Sequence, residues 1–266
     1  MIATELLATY DAQVRTAMAH REPEGVTIDW DGPLMRAVGM HQGFVNYRDL
    51  AGLRGPELDA LIARTCAFFD DRGEAFEWKT HGHDEPADLP ARLLAAGFVA
   101  EDLETVVIGR ADELTAEPEL PAGVRIRQVT EPADFQRIAQ LKTEVWNTDL
   151  SWLATDLAAR RAADPENLTV FAAVAGDELI SAGWLVRNQG TEFAGLWGGA
   201  TSARWRGRGI YRALIARRAQ LAVTQGTRYL QVDASADSAP ILQRLGFTAI
   251  TTTTPYVHQP PSTLGR

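Results

Sequence analysis

The sequence predicts a mixed α/β fold built as two sheet-and-helix halves in tandem. Strand and helix signals alternate regularly after residue 123. A proline- and acid-rich break precedes that alternation. A short helix closed by Gly-Phe occurs once on each side of the break.

The first half opens its readable pattern with a strand over Phe44 to Leu50. Pro56 to Asp71 reads as a helix, because Leu58, Leu61, Ile62 and Phe69 recur at helical spacing on one side. Ala75 to Lys79 is the next strand, Asp88 to Gly97 a short helix, and Leu103 to Ile108 a strand. The break runs from Ala111 to Gly123 and contains Pro118 and Pro121. Proline lacks a backbone donor and glycine has no fixed φ, so regular structure is expected to stop there. The expected boundaries are a first domain at 1–112, a linker at 113–122 and a second domain at 123–266.

The second half is the clearer one. Val124 to Gln128 has the two-residue period of a half-buried strand. Thr130 and Pro132 suit the start of a helix that runs to Trp146. Thr148 to Ala163 reads as a second helix. Thr169 to Ala175 and Leu179 to Val186 form a hairpin around Gly176-Asp177. Thr191 to Ala200 is a strand, and a helix follows to Gln225. Tyr229 to Ala234 is a strand, Ser238 to Leu245 a short helix, and Thr248 to Val257 a last strand rich in β-branched residues. The closing unit Ser238 to Phe247 repeats the plan of Asp88 to Phe98, which points to an internal duplication.

Composition narrows the function classes. The chain has 266 residues, 45% of them hydrophobic and 23% charged, which are globular values. No apolar run approaches the roughly 20 residues of a membrane span. Glu5 and Asp11 do not suit a secretory signal. Cys66 is the single cysteine, so no internal disulfide or cysteine-based zinc site is expected. The expectation is a cytoplasmic protein. Residues 1–120 carry 10 basic and 23 acidic side chains, a net of -13; the remainder carries 16 and 12, a net of +4. The overall charge of -9 argues against general nucleic-acid binding. The basic second half points to a local anion site. Only Lys79 and Lys142 among the 26 basic residues are lysine. His81 and His83 alternate at a strand end as zinc ligands can, but no matched partner follows, so no metal is expected.

That anion site reads as Arg206-Gly207-Arg208-Gly209, between a strand and a helix. Glycines let the backbone approach an anion, and the free amides of a first helical turn bind phosphate. Arg208 and Arg212 are four apart and share that end of the helix. Cations at a helix N-terminus oppose the dipole unless an anion sits between them. A pyrophosphate relieves that conflict; a solvated arginine face or an RNA contact is the alternative. Neither Gly-x-Gly-x-x-Gly nor a Walker motif is present, since Ile210, Tyr211 and Arg212 follow Gly209.

The run Arg206 to Leu214 resembles the acetyl-coenzyme-A signature of the GNAT N-acetyltransferase superfamily, with Arg206 and Gly209 matching and Tyr211 replacing the usual small residue. The resemblance covers about Val124 to Val257. The first half is similar to a GNAT repeat without the signature, as in tandem GNAT proteins. The resemblance implies two mostly antiparallel sheets, each flanked by helices. It implies an acyltransferase moving acetyl from acetyl-CoA to the primary amine of a small molecule or peptide, with no membrane partner. By spacing, Gly199, Ala200 and Thr201 would receive the pantetheine arm and polarise the thioester at a bulge. The amides of Gly207 to Tyr211 would hold the pyrophosphate.

The same resemblance exposes two departures. Many GNAT enzymes place a tyrosine acid four residues before the closing glycine, where this chain has Leu242. Ser235, Ser238 and Tyr256 are the hydroxyl candidates; Ser238 also suits a helix cap, and Ser235 lies just past a strand end. No general base is evident; Glu192 and Asp233 lie on strands, Glu144 and Asp149 in the helical region, and each also reads as a surface charge. Of these, Ser235 and Glu192 are carried as catalytic candidates. Trp146, Trp152, Trp184 and Trp197 are read either as lining an acceptor pocket or as core. A non-catalytic coenzyme-A-binding sensor is the rival reading.

Overall fold

The computed structural model describes residues 3–15, 17 and 25–261. The chain forms a mixed α/β fold divided into two compact units. The first holds the chain up to Val107, together with Asp233–Leu242 and the segment from Ala249 on. The second holds Ile108–Val232 and Gln243–Thr248.

The first unit contains α1 (Ala3–Gln13), β1 (Thr27–Asp31), β2 (Leu34–Val38), β3 (Gly43–Asn46), α2 (Gly55–Asp70), β4 (Phe76–His81), α3 (Leu89–Ala95) and β5 (Val99–Ala100). β6 (Glu104–Arg110) carries the chain out of it. β1, β2 and β3 form an antiparallel meander, and β3 then pairs parallel with β4. The helical stripe anticipated in α2 is the one that packs: Leu58, Leu61, Ile62 and Phe69 are buried against Phe76 and Trp78 of β4. α1 and the β1–β2 hairpin were not anticipated. β1 is short and none of its residues is buried, so its alternation is weak in the sequence.

The second unit contains β7 (Val124–Gln128), α4 (Pro132–Trp146), α5 (Leu153–Ala163), β8 (Leu168–Ala175), β9 (Glu178–Arg187), β10 (Phe193–Thr201), α6 (Ile210–Thr224) and β11 (Tyr229–Ala234), the last two residues of β11 falling in the first unit. β7, β8, β9 and β10 run antiparallel in that order, and β10 pairs parallel with β11. Phe135, Ile138 and Leu141 of α4 and Leu157 of α5 bury against Val170, Ala172 and Trp184 of β8 and β9. The short helix α7 (Ala239–Arg244) and the strand β12 (Thr248–His258) end the described fold.

Two expected boundaries give way. The acidic segment read as a linker belongs to the second unit and packs on α6. Gln220 Nε2 donates to the Thr115 carbonyl at 2.9 Å, and Arg217 pairs with Glu117 at 3.2 Å. An arginine-bearing helix face thus fixes a segment whose composition alone reads as free. The last strand also departs from the 123–266 domain, because nearly all of β12 lies in the first unit. It pairs antiparallel with β4 over six registers, from Thr253↔His81 to His258↔Phe76. Threonine hydroxyls reinforce the ladder: Thr253 Oγ1 donates to the Thr80 carbonyl at 2.7 Å and Thr80 Oγ1 to the Thr254 carbonyl at 3.0 Å.

Candidate functional site

β10 and β11 are paired only from Phe193↔Tyr229 to Gly195↔Gln231, although β10 continues to Thr201. Beyond Gly195 the strands therefore part. On its other side β10 keeps β9, but its register slips between Trp197 and Ala200. Three steps on β10 match two on β9, so Gly198-Gly199 is a bulge carrying one extra residue. Gly198 has φ of 64°, and a Cβ there would lie 1.9 Å from the Trp184 ring. A Cβ on Gly199 would lie 2.8 Å from the Tyr211 ring. Both glycines are thus required by close approach, one by each aromatic.

The end of β10 is pinned. Ser181 Oγ donates to the Ala200 carbonyl at 2.7 Å and contacts Thr201 Oγ1 at 2.7 Å. Arg206 Nε donates to the Thr201 carbonyl at 3.1 Å. A 3-10 turn over Ala203–Trp205 then leads to Gly207 and Gly209, both in the left-handed region at φ of 73° and 78°. Gly209 is the N-cap of α6, and no side chain caps that end. A helix leaves its first amides without intrahelical acceptors, so those of Ile210 to Arg212 are available there. α6 has no acidic residue in its first turn. Arg206, Arg208 and Arg212 are exposed around it, with the Arg208 guanidinium 5.1 Å from the Trp205 ring centre. Uncapped backbone donors, the positive end of the helix dipole and three arginines form one anion-accepting corner. Tyr211 packs across Gly199 where a smaller side chain would leave a gap, and burial raises its hydroxyl pKa.

Two more cations lie at the bulge. Arg218 of α6 is fully buried; its Nε donates to the Leu214 carbonyl at 3.0 Å and one terminal nitrogen to the carbonyls of Trp184 and Trp197 at 3.3 and 3.4 Å. Burial pushes it down to about 10, with Tyr211 opposing. Gly183 makes room, since a Cβ there would lie 2.9 Å from this guanidinium. On the other face, Lys142 of α4 holds its Nζ 5.2 Å from the Trp184 ring centre. Sequence reasoning gave neither residue a role at this corner. The signal for Lys142 was its rarity: the chain uses lysine twice and arginine for every other basic residue.

Of the catalytic candidates, Glu192 lies away from the bulge and Ser235 belongs to the other unit. Glu192 precedes β10 and pairs with Arg228 at 2.9 Å, at the end where β10 and β11 are still paired. It lies six residues before Gly198, roughly 20 Å away at ~3.3 Å per residue. Ser235 belongs to the first unit and serves its own turn: its Oγ meets Ser238 Oγ at 3.1 Å, and its carbonyl accepts from the amides of Ser238 and Ala239. Tyr256 lies in the core of the first unit, and Leu242 is fully buried. Trp184 is buried, whereas Trp146, Trp152 and Trp197 are exposed rather than core. His83 bonds Thr251 and Asp11. His81 faces the Tyr10 hydroxyl, and no group of three metal-ligating side chains occurs among the described residues. None of the described helices is long and apolar enough to cross a membrane.

Comparison with known proteins places this geometry. Residues 132–247 match the sequence model of the acetyltransferase (GNAT) family. No functionally curated protein matches the chain. Among solved structures, the chain is similar to a GCN5-related N-acetyltransferase from Kribbella flavida, with a TM-score of 0.70, 14% identity and coverage of 99% of this chain and 97% of that one. It is also similar to a tandem GNAT protein from the clavulanic acid biosynthesis pathway, with a TM-score of 0.64, 14% identity and 97% coverage of both chains. A GCN5-related N-acetyltransferase from Sphaerobacter thermophilus aligns with a TM-score of 0.62 at 16% identity, over 96% of this chain and 91% of that one. At such identities the likeness establishes the fold.

Proposed function

From the premise that this chain belongs to the GNAT superfamily, we propose that it is an acetyl-CoA-dependent N-acetyltransferase whose acceptor is a primary amine of a small molecule or peptide. The observation that carries the reading is the parting of β10 from β11 beside an uncapped, arginine-flanked α6. In this reading the amides of Gly207 to Tyr211 hold the pyrophosphate, and Arg206, Arg208 and Arg212 neutralise it. The bulge at Gly198-Gly199 receives the pantetheine arm and aims an amide at the thioester oxygen. One such donor is worth about 3 kcal/mol toward the transition state. Exposed Trp197, beside the bulge, offers an apolar wall to either substrate.

A second reading, coenzyme-A binding without catalysis, is favoured by Leu242 at the position of the usual tyrosine acid. Isothermal titration with acetyl-CoA tests both at once, and binding is expected at micromolar or tighter Kd. Thiol release from acetyl-CoA across a panel of primary amines then separates them. No heat of binding would refute the cofactor assignment. Binding without thiol release for any amine would favour the sensor.

A further inference from the structure

We propose that Lys142 is the proton-transfer group of this site: its free amine accepts the proton lost by the attacking amine, and its ammonium returns that proton to the departing thiolate. The proposal rests on the acetyltransferase reading and supplies the base and acid that the sequence lacks. In the balanced step, the acceptor nitrogen bonds to the thioester carbonyl carbon and the C–S bond breaks. One proton moves from nitrogen to Lys142 Nζ and then to sulfur, and the amide and the thiol leave.

Position is the first support. The Lys142 Nζ lies 5.2 Å from the centre of the Trp184 ring, and the edge of the same ring rests on Gly198. One indole therefore touches both the lysine and the bulge assigned to the thioester. The lysine lies on the α4 face, opposite the face on which Tyr211 and Arg218 meet β9 and β10, so an amine reaching it would approach from that side.

Chemistry is the second support. Neighbouring charges are engaged elsewhere. On α4, Glu144 accepts from Gln140, and Asp134 pairs with Arg127 and Arg137. On α5, Asp156 pairs with Arg160. On α6, Arg218 bonds backbone carbonyls. Partial burial then lowers Lys142 to about 8, close to the value that best serves proton transfer at neutral pH. Arginine cannot release its proton in a protein, whereas lysine does so readily when buried. A chain that writes 24 of its 26 basic residues as arginine keeps lysine here.

The two-lysine sequence makes the test direct. Labelling lysine with carbon-13 at Cε gives two signals, followed from pH 6 to 11 with and without acetyl-CoA, while calorimetry measures binding. One signal is expected to titrate near pH 8, to vanish in Lys142→Arg and to shift when acetyl-CoA binds. Lys142→Arg should bind acetyl-CoA within about two-fold of wild type. With any amine that is turned over, it should lower kcat by roughly 10²–10⁴-fold and remove the acidic limb near pH 8. A Lys142 signal that titrates near 10.4, or ignores acetyl-CoA that calorimetry shows to be bound, overturns the proposal alone. Absence of binding to wild type removes the premise and the proposal together.

Discussion

Two strand–helix–strand units in this chain begin alike and end differently. β3–α2–β4 and β10–α6–β11 both pair their strands in parallel over three registers. Both helices are entered through Arg-Gly with the glycine in the left-handed region, Gly55 at φ of 51° and Gly209 at 78°. The next residues then diverge. α2 continues with Pro56 and Glu57, α6 with Ile210, Tyr211 and Arg212. Pro56 has no amide to donate, and Glu57 places negative charge where an anion would sit. The first unit therefore shares the path of the backbone but not the chemistry of the first turn. In the proposed reading, anion binding depends on the side chains of the first helical turn rather than on topology.

The sharpest way to break the comparison is the same substitution in both places. Gly209→Trp is expected to lower acetyl-CoA affinity more than 100-fold by calorimetry, and Gly55→Trp to leave it within about two-fold. Both force a left-handed φ, so strain is common to the pair and binding is not. Equal loss in both would end the distinction. Next in size is Gly198→Ala, whose Cβ would meet the Trp184 ring at 1.9 Å. Overpacking of this kind costs about 2 kcal/mol. A melting temperature lower by roughly 4–8 °C follows. Gly52→Ala, at φ of 77° but with open space around it, should shift it by less than half as much.

Charge reversal comes third. Arg212→Glu should weaken acetyl-CoA binding about 10-fold at low salt and less at high salt, as screening predicts. Glu57→Arg should create no second binding event in the same titration, because Pro56 still lacks a donor. The smallest effect concerns pH in the first unit. Burial, with Arg15 nearby, lowers His81 to about 2. Its folded pKa is below the unfolded one, so its contribution is complete above about 6.5 and is lost as pH falls. At pH 5.5 that amounts to ~1 kcal/mol. His81→Gln should flatten the fall of melting temperature between pH 6.5 and 5.5; an unchanged slope would assign acid sensitivity elsewhere.

Local patterns were legible where they settle into local structure. The strand at Tyr229 to Ala234 and the stripe of α2 follow from periodicity, and the glycine cradle follows from residue type. The hairpin of β1 and β2 was not legible, since β1 is half-exposed and lacks a clean alternation. Domain limits read along the chain failed at β12, because β-pairing partners are chosen across 170 residues and leave no local mark. Glu192 lies away from the bulge for a related reason. Glu192 looked strand-borne, but which end of a strand faces a cleft depends on where its neighbour stops pairing. Lys142 needed the reverse information, a helix laid over Trp184, and only its rarity hinted at it.

The return of residues 249–258 to β4 also bears on how this protein is made. A ribosome delivers β4 long before β12, so the first unit waits with one side of β4 unpaired while the second is synthesised. Expressing the first 112 residues alone would leave that edge permanently open, which invites aggregation of the fragment. Separating the two halves by genetic truncation is thus a poor route to assigning their tasks, and point substitutions in the intact chain are the better instrument.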